Sequence, residues 1–459
     1  MISAGKSALT VGPVRGTLFL LAMPVLGEQL LNSMVGIFDT YLAGNLPGDV
    51  NVAATAAIGL AAYVGWLASM IVMLVGTGTT ALVSRYAGAG NHAEANHFAN
   101  QSLSLAAMLG ALMFVVIYAL APGIARYCHM TGLSFEVTVN YLRVDAIGHT
   151  FMSLLLVASA GLRGVGNMRT PMVIFAVINV INVVASCTYV YGLGPFPKLG
   201  INGIVGGTLT ARILGAVIIV IVLARGRAGL QIRNAELAIT WERAVRILRI
   251  GVPAAADGAV MWIGHFVLLA IISQLAPPPL GPAYFAAHII AVRVEAFTYL
   301  PAVAWATATA TMIGQALGAE DPARAKRVGH EAVMQCGALS VLVAVLFFVG
   351  AGFIYRTMHD DPLVQQEGAA PFRILALLQP LLVISIVYIG GLRGAGDTRV
   401  PLLITLAGTV LRVAVGAVCG LAIRHDLLGA WMGMFSDMTW RALAASVRYA
   451  RGNWTQTEV

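Results

Sequence analysis

The chain has 459 residues, of which 59% are apolar and only 10% charged, with a formal net charge of +8. Soluble domains carry about 25% charged residues because their surfaces face water, so a chain of this length and composition is excluded from that class. A basic excess can mark a nucleic-acid binder, but here the positive residues sit between apolar blocks and not in a patch, so nucleic acid is excluded as a partner.

Uncharged stretches at 52–84, 101–124, 170–197, 258–292, 332–355 and 374–392 are near or above the roughly 20 residues that a membrane-spanning helix needs. Taken in chain order, the apolar blocks predict spans over roughly 16–43, 53–84, 97–121, 138–162, 171–192 and 202–224, then 244–274, 283–314, 328–355, 371–392, 400–422 and 427–448. The fold class is therefore all-α integral membrane, with twelve transmembrane helices. The first block follows Lys6 and Arg15 as a signal peptide would, but it contains Glu28 and Asp39 and no small-residue cleavage site, so it reads as a retained first helix.

Alternating the segments places Lys6, Arg15, Arg85, Arg163, Arg169 and the cluster from Arg225 to Arg249 on one side of the bilayer. Arg324, Lys326, Arg327, Arg393, Arg399, Arg441, Arg448 and Arg451 fall on that side too, against only six basic residues on the other. The positive-inside rule makes the richer side cytoplasmic, with both termini there, in a bacterial-type inner (plasma) membrane. Cys128, Cys187, Cys336 and Cys419 have no metal-ligand spacing and read as small core hydrophobes.

The chain repeats itself. Gly161-Leu-Arg-Gly-Val-Gly-Asn-Met-Arg-Thr-Pro171 recurs as Gly391-Leu-Arg-Gly-Ala-Gly-Asp-Thr-Arg-Val-Pro401, 230 residues later. Gly88-Ala89 and Gly318-Ala319 share that offset, while Pro24 with Glu28 matches Pro253 with Asp257 at 229. Such register across most of the chain indicates a duplicated six-helix unit. The expected organisation is an N-terminal lobe over 1–224, a cytoplasmic basic linker over 225–243 and a C-terminal lobe over 244–459. Six spans per copy insert both halves the same way round, as parallel repeats related by a pseudo-two-fold axis along the membrane normal. That symmetry suits a transporter whose halves rock to alternate access.

In the duplicated loops, Gly161, Gly164, Gly391 and Gly394 are expected to permit tight turns, and Arg163 and Arg393 to cap helix ends. The full nucleotide-binding fingerprints are missing, so the loops read as structural. Ionisable residues inside spans are the better functional candidates, since their burial is costly. Asp39 can hold or release a proton as its access changes. Asn179, Asn182 and Thr208 complete an oxygen-rich set suited to a proton network or a hard cation. Glu28 and Asp257, each four residues after a helix proline, are candidates for gating or the substrate path. Arg293 and Glu295 join them, and each needs a partner from another helix. Arg212 and Arg412 pose the same question.

Taken together, the Gly161 and Gly391 motifs, Met23-Pro24 through Asp39-Thr40, Ala286 through Glu295, Gly314 through Ala319 and Gly194 through Gly200 resemble the multidrug and toxic compound extrusion family over nearly the whole chain. The pattern around Arg293 and Glu295 is most similar to the bacterial branch named after the DNA-damage-inducible protein F. The resemblance implies two lobes of six helices and export driven by inward H+ or Na+ flow, without a cofactor or bound metal. In that branch the first-helix acid matches Asp39 and its partners match Asn182 and Thr208. Ser186 stands where a second acid is common, and Met261 where the Na+-coupled branch carries an acid, and both departures favour H+. No catalytic constellation is present, so an enzyme is not expected. The expected activity is antiport of small amphipathic, cationic organic compounds by a protein working as a monomer in the lipid bilayer. The alternatives are Na+ coupling, or a lipid-linked precursor flippase with Arg212, Arg293 and Arg412 facing the cleft.

Overall fold

The computed structural model describes residues 8–47 and 50–457; Lys6, assigned above to the cytoplasmic side, lies outside them. Twelve long helices follow one another: α1 Val14–Gly44, α2 Val50–Gly88, α3 His92–Tyr127, α4 Gly132–Gly164, α5 Arg169–Tyr191, α6 Ile201–Ala224, α7 Trp241–Ile272, α8 Leu280–Gly318, α9 Pro322–Met358, α10 Pro362–Gly394, α11 Arg399–Ala417 and α12 Leu427–Arg451. A π-helical stretch, Val418–Arg424, continues α11. No strand occurs among the described residues. Eleven of the twelve are long and apolar enough to cross a membrane. The exception is α12, where Asp437, Arg441, Arg448 and Arg451 interrupt the apolar run. Many large apolar side chains point outward, among them Val180, Val349 and Phe353, as expected where the solvent is lipid.

The chain divides into two compact units. One holds Met23–Gly251, the other the chain up to Ala22 together with Val252 onward. The basic stretch between the apolar blocks suggests divisions at 224 and 243. The structural divisions fall instead inside α1 and α7, each two residues before the helix proline, Pro24 or Pro253. Within each unit the same helix pairs pack: α2 with α3 and α4, α3 with α4, and α6 with α4 and α5; then α8 with α9 and α10, α9 with α10, and α12 with α10 and α11. Over their most apolar stretches the most buried spans are α4 and α10, which occupy equivalent places in the repeat. Small residues set the spacing: a Cβ on Gly207 of α6 would collide with Ser186 of α5, one residue from Thr208.

The basic stretch after α6 does not hang free. Residues 231–240 lie as a strap along α3, where Asn96, Asn100, Gln101 and Ser104 act as a ladder of amide and hydroxyl partners. Asn96 Oδ1 accepts from the Gln231 amide at 2.7 Å and Asn100 Oδ1 from the Arg233 amide at 3.2 Å. Gln101 Nε2 donates to the Ala238 carbonyl at 3.0 Å and Ser104 Oγ to that of Leu237 at 2.7 Å. Side chains thus satisfy backbone groups that have no strand or helix partner. Arg243 at the start of α7 pairs with Glu94 of α3 at 3.0 Å.

The other unit repeats the device with different chemistry. Arg324 of α9, at the 230-residue offset from Glu94, donates to the carbonyls of Leu9 and Gly12. Gln335 donates to that of Arg15, and Phe19 of α1 packs edge-on against Trp305 of α8.

Replacing Asn100 by Ala removes an acceptor that shields one backbone amide. The Arg233 amide should then exchange hydrogen about fivefold faster, since a hydrogen bond of this kind contributes about 1 kcal/mol. Unchanged exchange at Arg233 in that variant would show that the ladder does not hold the strap.

Candidate functional site

The duplicated glycines do a different job from the one their sequence suggests. Gly161, Gly164, Gly391 and Gly394 are still helical, and the turn is made one step later by Gly166 and Gly396, at φ 90° and 89°. The earlier glycines allow helices to approach closely. A Cβ on Gly164 would come within 2.9 Å of Val83 on α2, and one on Gly394 would strike the Ala310 backbone of α8.

Arg163 and Arg393 do not cap the helices that carry them. Arg163 Nη1 donates to Glu28 Oε1 at 2.9 Å, and Arg393 donates to Asp257. Both carboxylates are buried. The proline-plus-acid element and the glycine-loop arginine, each duplicated in the sequence, are therefore two ends of one duplicated ion pair. Each pair ties the part of α1 or α7 beyond its proline to the end of the fourth helix of the same unit. Glu28 and Asp257 are accordingly anchoring residues. Glu295 is also engaged, accepting from Gln379 Nε2 at 3.1 Å, while Arg293 is exposed on α8.

Three of the four predicted coupling residues do come together. Thr208 Oγ1 donates to Asp39 Oδ2 at 3.1 Å and accepts from Asn182 Nδ2 at 3.0 Å. All three are buried, and Asp39 Oδ1 and Asn182 Oδ1 have no protein partner. Asn179 stands apart, because its amide donates to the Phe175 carbonyl of its own helix at 2.7 Å. The hydroxyl of Thr208 has one proton, and it goes to Asp39. What remains for a further proton or cation is a pair of acceptor oxygens, Asp39 Oδ1 and Asn182 Oδ1.

Charge pairing separates this acid from the rest. Among the described residues the buried carboxylates are Glu28, Asp39, Asp145, Asp257, Asp397 and Asp437. Five of them contact an arginine: Arg163, Arg212, Arg393, Arg448 and, for Asp437, both Arg412 and Arg441. Asp39 has only the neutral hydroxyl. The partners of Arg212 and Arg412, open in the sequence, are thus Asp145 and Asp437. His288 receives the indole N–H of Trp431 at 3.1 Å, as a core histidine.

Sequence reasoning passed over Asp145 and His149, although two ionisable residues four apart in a predicted span were a visible signal. Asp437 was likewise missed, and only packing reveals that it answers two arginines.

Replacing Arg163 by Ala leaves Glu28 buried and unpaired, which should cost about 3–5 kcal/mol and lower the melting temperature in detergent. Replacing both partners, as Glu28→Gln with Arg163→Met, should recover most of that loss. A double variant no more stable than Arg163→Ala would contradict the pairing.

The MatE family model matches residues 24–188 and again 253–418, one match in each half. A probable multidrug resistance protein NorM of Thermotoga maritima is 28% identical over 454 residues, covering 98% of this chain and 95% of that protein. Multidrug resistance protein PmpM of Pseudomonas aeruginosa is 27% identical over 447 residues, covering 95% and 91%. Among solved structures, the outward-facing conformation of a multidrug resistance MATE family transporter superposes with a TM-score of 0.87 at 20% identity, over 98% of this chain and 99% of that one. A MOP superfamily transporter from Pyrococcus furiosus superposes at 0.86 and 20% identity, over 97% and 96%.

Proposed function

This chain belongs to the MatE family of membrane transporters, and on that premise we propose that it exports small amphipathic organic cations by antiport against an inward H+ flow. Asp39 is the coupling acid. The observation that carries this reading is that, of the six buried carboxylates among the described residues, Asp39 is the one answered by a neutral group and not by an arginine; Glu295, which accepts from a neutral amide, is only half-buried. An acid so placed in a low-dielectric bundle changes its charge state at little structural cost, because no ion pair has to break. It can take a proton from one side, lose it to the other, and in the ionised form attract a cation. Thr208 and Asn182 orient it.

Relatives bearing the name multidrug resistance protein over nearly their whole length support the substrate class. The absence of an acid at Ser186, and the single carboxylate beside Asn182 and Thr208, support H+ over Na+, since a hard cation favours several charged oxygen ligands. Of the three arginines a lipid-precursor flippase would use for a phosphate head, Arg212 and Arg412 are each held by a carboxylate of their own unit, and Arg293 alone is exposed. Alternating access of the site to the two membrane faces, with the termini cytoplasmic in a bacterial inner membrane and the monomer as working unit, completes the proposal.

In proteoliposomes, a pH gradient should drive ethidium efflux and a Na+ gradient should not. Asp39→Asn should reduce the driven flux to that of empty vesicles and weaken ethidium binding in detergent. Full pH-driven efflux by Asp39→Asn would remove Asp39 from the coupling role.

A further inference from the structure

The hydrogen-bond chain from Asn182 through Thr208 ends at Asp39, and a second polar group lies beside it. One turn beyond Thr208 on α6, Arg212 donates to Asp145 Oδ1 of α4 at 2.7 Å. One turn beyond Asp145, His149 brings its Nε2 to 2.9 Å from the other oxygen, Asp145 Oδ2, near enough for an ion pair but off the line of a hydrogen bond. Successive turns of α6 therefore address two of the three buried acids of this bundle, Thr208 holding Asp39 and Arg212 holding Asp145. Asp145 and His149 are both buried.

The neighbouring helices make room for this group and add no other charge. A Cβ on Gly148 would fall 2.8 Å from Arg212 Nη1, and one on Gly65 of α2 would fall 3.2 Å from His149 Cε1. From α3 the nearby element is Gly110, whose carbonyl accepts from Thr150, and from α5 it is Asn182; neither ionises. Tyr141 lies one turn before Asp145 on α4 and is in electrostatic reach of both acids. Arg143 of α4 is engaged elsewhere, 4.8 Å over the ring of Tyr118 on α3.

Charge accounting then fixes what the group does. Arg212 and Asp145 cancel, leaving Asp39 and His149 as the two side chains that change charge. A net charge inside such a bundle is costly. The set has two forms without one: Asp39 as the acid with neutral His149, and Asp39 as the carboxylate with imidazolium His149. They differ by one proton, moved between a carboxyl oxygen and an imidazole nitrogen, and no other bond or electron changes. We propose that His149, seated against Asp145 and Arg212, is a second proton-holding residue of the coupling site, charged when Asp39 is ionised and no cation is bound. This rests on the reading of Asp39 as the coupling acid. A bound organic cation supplies the same compensating charge, so proton on His149 and substrate at Asp39 exclude one another.

Two measurements test this on the full chain. In proteoliposomes under a fixed pH difference, the dependence of ethidium efflux on absolute pH should move by about one pH unit in His149→Gln, the size expected when one interacting charge is removed. In detergent, NMR of 15N-histidine-labelled protein should show one histidine whose titration midpoint falls by a similar amount in Asp39→Asn, because the carboxylate that stabilised its charged form is gone. Should His149→Gln not fold, the second measurement decides alone. An unchanged pH profile in a folded His149→Gln, or no histidine shifted by Asp39→Asn, overturns the proposal. Wild-type vesicles without pH-driven efflux would instead overturn the coupling role of Asp39, and the NMR comparison would still report whether the two residues are linked.

Discussion

A carboxylate inside a bundle that lipid surrounds must be answered by a positive group or by a proton, and the architecture follows from how each one is answered. Glu28 and Asp257 are answered by arginines from the glycine loops. That choice joins the two most conspicuous repeated elements of the sequence into one clamp, present in both units. Asp145 and Asp437 are answered from another helix by Arg212 and Arg412, and Asp437 also by Arg441 one turn along its own helix. Once these charges are spent, Asp39 is left with a hydroxyl and a free oxygen. Its reactivity is a remainder, produced by the pairing of everything around it.

The duplication is therefore structural, and the chemistry departs from it. The clamps, the helix pairing and the straps before α1 and α7 recur. The strap on α3 uses Asn, Gln and Ser side chains, while its counterpart on α9 uses Arg324 and Gln335. The position matching Asp39 at the 229-residue offset is Leu268, which is fully buried, and Asn182 is matched at 230 by Arg412. Arg212 and Arg441 are equivalent, yet one reaches Asp145 on another helix and the other Asp437 four residues back on its own. One scaffold thus holds an uncompensated acid in one unit and two arginines sharing one acid in the other.

Much of the fold was legible because the membrane leaves a chain few choices: long uncharged runs must be helices, and a 230-residue repeat with six runs per copy must give two alike bundles. Asp39, Asn182 and Thr208 were legible as polar atoms in apolar runs. Asn179 was grouped with them on helical spacing, which places Cβ atoms but does not reveal that the amide turns back to Phe175. The loop glycines were legible as necessary but not as packing residues, since the neighbour that demands Gly164 is Val83, eighty-one positions away. Ion pairs between distant helices are of the same kind. Arg163 and Glu28 each look unpaired until α1 and α4 are side by side.

The account's central claim is that the negative charge of Asp39 is exchanged between a proton and an organic cation. It is tested most directly by adding ethidium to detergent-solubilised protein in weakly buffered solution and following a pH indicator. The wild type should release protons as the cation binds, and Asp39→Asn should bind more weakly and release none even at ethidium concentrations high enough to occupy it. Equal proton release from both would contradict the claim.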